Sequence, residues 1–252
     1  MRKVRSFAAR ATALATASAM LAGCSTQPAG PITEAQLRDI HQSVNEVLTS
    51  MNQAANKNWL SGAVMLEVSI ARDNSLLGCT ATSTSGAPGL VAVAERACWA
   101  SVFPPMPAEV FDADGKGLIR MPMIFGMDPP ADPQLRASYE GILFPAFSQG
   151  QYFWDNGIRA VPTHSVGQVV FHYVADHQGR VLVCNAIIDA VESRPAQFRD
   201  NPLLIKRLSA ACQAMNLSKM PGFAVAANGL ATGSVWMFYA PWRQAAPKAT
   251  DY

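Results

Sequence analysis

The feature of this 252-residue sequence that most constrains its fold is an eighteen-residue pattern that occurs twice. The first copy, from Gly62 to Cys79, reads GAVMLEVSIARDNSLLGC, and the second, from Gly167 to Cys184, reads GQVVFHYVADHQGRVLVC. Each copy has an alternating apolar strand, a polar turn and a second run of β-forming residues, which indicates a β-hairpin. The offset of 105 residues at both ends of the pattern predicts two copies of one structural unit.

Each hairpin is followed by a predicted helix that contains a further cysteine, and then by a third strand. The first helix contains Cys98, and the second begins after the capping residue Asn201 and contains Cys212. We expect the third strands over residues 118–125 and 234–240. The order β-β-α-β therefore occurs twice, which predicts an α+β fold of two small tandem units.

The second unit is predicted to contain one insertion. Cys98 and Cys212 are 114 residues apart, as are the Met-Pro pairs that begin at Met106 and Met220, whereas the hairpins are 105 residues apart. The difference of nine residues has to fall after the second hairpin, and we expect it within residues 187–200.

The repeat also suggests partners for four of the five cysteines. Duplication favours one disulfide inside each unit, Cys79–Cys98 and Cys184–Cys212, among the three pairings that four cysteines allow. Closing loops of roughly 20–30 residues stabilises a fold by about 3–4 kcal/mol. A site in which four thiolates bind zinc is the alternative, although no Cys-x-x-Cys pair is present to favour it.

The first 23 residues have the layout of an export signal. Arg2, Lys3 and Arg5 precede an uncharged run over residues 11–22, which is too short to span a bilayer as a helix. The run ends in Leu-Ala-Gly-Cys, closing at Cys24, and this order resembles the lipobox of bacterial lipoproteins. The resemblance implies cleavage before Cys24 and acylation of that residue, for example with palmitate. A plain secretory signal is the alternative.

Cleavage would leave residues 24–252 with 16 basic and 18 acidic side chains, a formal charge of −2. Such a balance gives no basic face for nucleic acid. Ser25 resembles the residue that follows the acylated cysteine in outer-membrane lipoproteins. We therefore expect a periplasmic protein anchored by lipid to the outer membrane, in a compartment where disulfides persist.

A helix is predicted before the first unit, over residues 32–56. Thr33 and Gln36 have the spacing of a capping box. An apolar stripe follows at helical spacing, formed by Leu37, Ile40, Val44, Val47, Leu48 and Met51. We expect the stripe to pack on the following unit, and a helix that binds a partner is the alternative.

The segment between the units, residues 128–163, opens with prolines and continues with closely spaced aromatic residues. These are Tyr139, Phe144, Phe147, Tyr152, Phe153 and Trp154. We expect them to pack against one of the sheets, and an exposed recognition surface is the alternative.

The first unit resembles the C-terminal domain of TonB, the periplasmic part of the energy transducer for outer-membrane receptors. Five elements carry the resemblance in the family's order: Gly62-Ala63-Val64, Ser83-Thr84-Ser85-Gly86, Phe103-Pro104-Pro105, Gly115 with Gly117, and Met121-Pro122-Met123-Ile124-Phe125. Some family members also have a strand-to-helix disulfide. The second unit keeps the cysteines and the strand order. It lacks the family's Ser-Ser-Gly element, to which Ser83-Thr84-Ser85-Gly86 corresponds in the first unit, and its Pro-x-x-Phe element, which is Pro122–Phe125 there.

The resemblance implies that a sheet edge accepts a short segment of another protein as an added strand. The candidate binding edge comprises Met121, Met123 and Phe125 in the first unit and Trp236 and Phe238 in the second. The implied partners are envelope proteins, an outer-membrane receptor or a second copy of the chain. The predicted function is that of a non-enzymatic adaptor, with energy transduction or a structural envelope role as alternatives.

No enzymatic constellation is recognisable in the sequence. There is no Gly-x-Ser-x-Gly motif, no phosphate loop and no dinucleotide fingerprint. His172 and His177 are predicted to be a strand residue and a turn residue, and Asp112 and Asp114 to lie in a turn. We predict no catalytic residue, metal site, cofactor or small-molecule substrate.

These features divide the chain into six parts. They are a signal peptide (1–23), a lipidated tether and helix (24–60), the first unit (61–127), a linker rich in proline and aromatic residues (128–163), the divergent second unit (164–243) and a tail (244–252).

Overall fold

The computed structural model describes residues 33–126 and 128–247 and contains two three-stranded antiparallel sheets. The first half of the chain forms α1 (Glu34–Ala55), β1 (Gly62–Ala71), β2 (Leu76–Gly86), α2 (Leu90–Ala100) and β3 (Lys116–Phe125). The second half forms α3 (Pro133–Ser138), α4 (Phe144–Asn156), β4 (Gly167–Asp176), β5 (Val181–Asp189), α5 (Pro202–Gln213) and β6 (Leu230–Tyr239). The predicted α+β class and the repeated β-β-α-β order are confirmed.

The first sheet has the strand order β2-β1-β3, with the hairpin's first strand in the centre. Alternate residues of β1, from Val64 to Ile70, are buried on one face, as the period of two requires. Helices α1 and α2 pack side by side over this face. The capping box at Thr33 and Gln36 is present, and the buried stripe of α1 includes Ile40 and Val44.

The second sheet repeats this arrangement with the order β5-β4-β6. Helix α5 packs on β5, and α4 packs on β6. The aromatic side chains of Phe153 and Trp154 are fully buried in this core, and the ring of Phe153 lies 5.3 Å from that of Phe171. The aromatic residues of the segment between the units therefore supply core, and the segment is helical over most of its length.

The duplicated unit is larger than the hairpin, helix and strand found in the sequence. Adding 105 to the bounds of α1 gives residues 139–160, and this range contains a π-helical turn (Tyr139–Leu143), α4 and a 3-10 turn (Ile158–Ala160). Leu48 and Phe153 occupy equivalent positions, and both are fully buried. The repeat is thus α-β-β-α-β, in which a leading helix covers each sheet beside the helix that follows the hairpin.

In each unit, one disulfide joins the hairpin to the following helix. Cys79 is bonded to Cys98 and Cys184 to Cys212, the pairs expected from the repeat. Residues 87–89 connect β2 to α2, whereas residues 190–201 connect β5 to α5, so the nine additional residues lie in the second connection. Disulfides of this kind are typical of proteins in an oxidising compartment.

The inserted connection contacts the first half of the molecule through a buried arginine. The Arg194 guanidinium donates to the carbonyl oxygens of Phe103 and Asn74, and it lies 5.2 Å from the ring centroid of Trp242. Burial lowers the pKa of Arg194 to about 10. The insertion therefore fastens the second unit to the first through hydrogen bonds to main-chain atoms.

The predicted signal peptide and the lipid attachment at Cys24 lie outside the described residues. Among the helices of the described part, none combines the length and apolar character needed to cross a bilayer.

Candidate functional site

The candidate edge residues of the first unit lie in β3, which is an edge strand of the first sheet. The side chains of Met121, Met123 and Phe125 point into the core and are 5–7% exposed. Their side chains contribute to the core of the first unit, so only the backbone edge of these residues faces the outside of the sheet. The binding role expected of this edge stays a prediction. The side chain of Ile124, on the opposite face, is 83% exposed.

The candidate edge residues of the second unit point away from the core of that unit. Trp236 and Phe238 are in contact, with ring centroids 4.6 Å apart, and the indole N–H of Trp236 donates to Gln168. The ring of Phe238 is half-buried against the core of the first unit. Helix α4 lies against this strand, since a Cβ added to Gly150 would be 3.1 Å from the Trp236 carbonyl oxygen.

An open groove runs between α1 and the edge of β3. On the strand side it is lined by Met123, Ile124, Phe125 and Gly126. Successive side chains of a strand point to opposite faces, so a groove that reaches consecutive residues meets the strand at its edge. Within the described ranges, no strand pairs with this side of β3.

The helix side of the groove is a stripe of amide and hydroxyl side chains, which we name the carboxamide stripe. Its members are Asn45, Thr49, Asn52, Gln53 and Asn56. These positions recur at intervals of three and four residues, so they share one face of the helix. The spacing of these polar residues is visible in the sequence. It indicates a site only once the fold shows that this helix face lies opposite a strand edge.

Asn52 is the buried member of the carboxamide stripe and has an unmet hydrogen-bonding group. Its side chain is 7% exposed, and its amide nitrogen lies 3.8 Å from the sulfur of Met123. Among the described residues, nothing forms a hydrogen bond with its Oδ1 atom. Leaving a buried polar atom without a partner costs about 1–3 kcal/mol.

Aromatic residues close one end of the groove. The ring of Trp59 lies 5.5 Å from that of Tyr139 and 5.1 Å from that of Phe144. Trp59 has a φ of 52°, a left-handed conformation that is unfavourable for a bulky residue. Asn56 supports this turn, because its side chain exchanges two hydrogen bonds of 2.9 Å with the main chain of Leu60.

The histidine and aspartate residues singled out in the sequence lie in strands and turns. His172 is an exposed strand residue whose Nδ1 lies 2.8 Å from the Ser234 hydroxyl, and His177 lies in the turn between β4 and β5. The Asp112 carboxylate accepts from the backbone N–H of Lys116 and so forms a turn. Within residues 33–126 and 128–247, no group of three or more acidic, histidine or cysteine side chains could hold a metal ion.

The site therefore combines an unpaired strand edge, a helix face rich in hydrogen-bonding groups and an aromatic end. No protein-family model matches this chain, and neither a characterised protein nor a solved structure is significantly similar to it.

Proposed function

We propose that the chain is a non-enzymatic periplasmic lipoprotein that binds an extended segment of an envelope protein as an added strand on β3. The groove between α1 and the unpaired edge of β3 is the observation that carries this proposal. An exposed edge offers a row of backbone donors and acceptors to another chain. In strand addition these groups give affinity, and neighbouring pockets select the side chains.

The carboxamide stripe supports an extended peptide as the ligand. An added strand would pair one side of its backbone with β3 and turn its other side towards α1. A carboxamide has both donor and acceptor groups, so the exposed Asn45 of the stripe suits the N–H and C=O groups of that second side. Asn52 also lines the groove, and rotation of its side chain would bring the buried Oδ1 within reach of the bound segment.

A photo-crosslinking experiment tests the edge. A photoreactive amino acid at Ile124 would lie against a strand added to β3, whereas the same group at Leu77 would lie on β2, the opposite edge. Leu77 is a matched control because it is also an exposed aliphatic residue, at 49%. We expect crosslinks from position 124 to one short segment of an envelope protein. Equal crosslinking at both positions, or none at 124, would contradict the proposal.

An asparagine variant tests the helix wall of the groove. Asn52→Leu removes a buried carboxamide whose Oδ1 is unsatisfied, so we expect the free energy of unfolding to stay equal or rise while crosslinking from position 124 falls about tenfold. Gln42→Leu is the control, because Gln42 is exposed, bonds Glu46 and is not among the described residues that line the groove. Unchanged crosslinking in the Asn52 variant would remove the stripe from the binding site.

The resemblance of the first unit to the TonB C-terminal domain supports strand addition, and the sequence around Cys24 supports a lipid anchor. Metabolic labelling with radioactive palmitate tests the anchor: we expect label in the wild-type protein and none in Cys24→Ala. Equal labelling of both proteins would contradict lipidation at that residue. Fractionation of the two membranes would then test attachment to the outer membrane.

The same crosslinks separate the adaptor from its alternatives. If the chain takes part in energy transduction, crosslinks from position 124 to a receptor will disappear when a protonophore collapses the proton-motive force. An adaptor keeps its crosslinks under this treatment. Crosslinks to a second copy of the chain alone would instead indicate a structural role through dimerisation.

A further inference from the structure

A cavity of about 600 Å³ lies between α1, α4 and β6, away from the β3 groove. The end of α2 and residues 191–193 of the inserted connection complete its wall. This volume is within the range of roughly 300–1,000 Å³ that is usual for sites that bind small molecules. The cavity arises between the two copies of the repeat, so neither unit contains it alone.

Most of the cavity wall is apolar. Helix α1 contributes Val47, Met51 and Ala54, and α4 contributes Ala146 and Phe147. Burying an alkyl chain against such a wall is favourable by about 25 cal/mol for each Å² of apolar surface removed from water. The chemistry of this wall therefore favours a ligand that is largely hydrocarbon.

The cavity wall has acidic side chains at its mouth and a basic side chain in its interior. Glu46 and Glu192 are exposed and lie where the cavity meets solvent, whereas Arg243 is 3% exposed. The carboxylates at the mouth would repel an anionic group that remained there. A buried cation would attract the same group inside.

The positive charge of Arg243 is only partly neutralised by the side chains around it. Its guanidinium donates to the carbonyl oxygen of Phe238 and stacks 4.3 Å from the ring centroid of Trp154, while its Nε has no hydrogen-bond partner in the part of the chain that the structure describes. Burial lowers its pKa to about 9. Asp155 lies nearby but also pairs with Arg159 at 3.7 Å, so these three side chains retain one net positive charge.

We propose that this cavity binds a long-chain fatty acid, with the carboxylate against Arg243 and the alkyl chain between α1 and α4. Guanidinium groups bind carboxylates through charge-assisted hydrogen bonds, which are stronger than those between neutral groups. Such a ligand matches both the apolar wall and the buried cation. This site is separate from the β3 groove, and it does not depend on the function proposed there.

Displacement of a fluorescent fatty acid from the purified full-length, disulfide-bonded protein tests this site. We expect cis-parinaric acid to bind saturably with one molecule per chain. Palmitic acid should displace it about tenfold more effectively than methyl palmitate or hexadecanol, because only the acid has a carboxylate for the guanidinium. The absence of saturable binding, or equal displacement by the three competitors, would overturn the proposal.

A variant of the cavity wall locates the bound chain. Ala146 is an exposed residue of α4, so Ala146→Phe should fold normally while the larger side chain occupies part of the cavity. We expect it to weaken binding about tenfold, which is the scale of one or two kcal/mol of lost contact. Ala227→Phe, in an exposed loop outside the cavity, is the matched control and should bind as the wild type does. Equal binding by both variants would place the ligand elsewhere.

Two substitutions of Arg243 test recognition of the head group. Arg243→Met should lose the preference for palmitic acid over hexadecanol, and Arg243→Lys should retain most of it, because the ammonium group preserves the charge. Circular dichroism spectra establish whether each variant is folded. If Arg243→Met does not fold, the competitor series and Ala146→Phe still decide the proposal. A folded Arg243→Met protein with an unchanged preference would overturn the role of the guanidinium.

Discussion

The two copies of the repeat differ most where the leading helix meets the last strand. In the second copy Gly150 brings α4 onto the Trp236 carbonyl, and in the first copy the position 105 residues earlier is Asn45. Strand residue Trp236 pairs with Val170, and its counterpart Pro122 pairs with Met65. In the second copy, which we call the closed copy, a glycine allows the helix to contact the strand. In the first, the open copy, an asparagine lines the groove between them.

This difference shows how duplication produces two kinds of surface from one fold. The second copy uses its leading helix to cover the strand and fill the core with aromatic rings. The first copy leaves its strand edge open and lines the facing helix with polar side chains. On the function proposed above, the open copy would provide the surface for a partner.

The largest expected effect comes from the equivalent pair Leu48 and Phe153. Both side chains are fully buried, so Phe153→Ala should lower the free energy of unfolding by about 3–5 kcal/mol and Leu48→Ala by about 2–5 kcal/mol. Denaturant unfolding of both variants measures these losses. A loss below 1 kcal/mol for Leu48→Ala would break the comparison, because α1 would then not cover its core as α4 does.

The two disulfides should contribute nearly equally. The sequence separations are 19 and 28 residues, for which loop closure predicts about 3 kcal/mol each, slightly more in the second unit. Unfolding of Cys79→Ala/Cys98→Ala is compared with unfolding of Cys184→Ala/Cys212→Ala. A difference of more than about 2 kcal/mol would show that the two units depend on their disulfides unequally.

Arg194 belongs to the insertion, which the first copy lacks. Arg194→Met removes the donors that satisfy the carbonyl oxygens of Phe103 and Asn74, and we expect a loss of about 2–3 kcal/mol. Arg199→Met, on an exposed side chain of the same connection, is the control and should change stability by less than about 0.5 kcal/mol. Similar losses in both variants would mean that the insertion does not act through Arg194.

Exchanging the helix residues tests the closed copy directly. Gly150→Asn places side-chain atoms against the Trp236 carbonyl, where even a Cβ would be 3.1 Å away, so we expect a loss of about 1–3 kcal/mol. Asn45→Gly is the reciprocal change and should cost about 0.5–1 kcal/mol through helix propensity. Thermal unfolding measures both changes, and a neutral Gly150→Asn variant would show that the close approach is not required.

The smallest effect is expected at the hairpin turns, where Asp176 stands in place of Ala71. Burial acts to raise the pKa of Asp176, but hydrogen bonds from Arg180 and Gln178 outweigh it and lower the pKa below 3.8. A lowered pKa in the folded state stabilises the fold above pH 3.8, and this contribution is lost as the pH falls through the folded-state pKa. Asp176→Ala should therefore be less stable than the wild type at pH 7, and acid titration of unfolding should show the difference shrinking below about pH 4. A difference that persists at pH 2 would exclude ionisation as its cause.

Local patterns predicted most of the secondary structure, because strand alternation, turn residues and cysteine spacing are properties of short segments. The capping box of α1 and the cap at Asn201 were recognisable for the same reason. Alternation also carried the signal that Met121 and Met123 share the buried face of β3. Their assignment to a binding edge followed from the family resemblance and concerns the backbone of β3, so it stays a prediction.

The β3 groove and the cavity could not be predicted, because they are formed by contacts between segments that are far apart in the sequence. The aromatic residues of α4 share no recognisable pattern with α1, so the larger repeat emerged only when both helices were seen to cover their sheets. The cavity that contains Arg243 lies between two copies far apart in the chain. Asn52 likewise could be recognised as part of a site only from its position beside β3.

Helix α1 also has a mechanical consequence for the molecule. It is the first described element of the chain, and the same 22 residues cover the first core and form one wall of the β3 groove. Thr33 is nine positions after Cys24, a span of at most roughly 30–32 Å if fully extended. A lipid at Cys24 would hold the groove close to the membrane surface. Tension on the tether would then act first on the helix that shapes the groove, so anchor and binding surface would bear load in series.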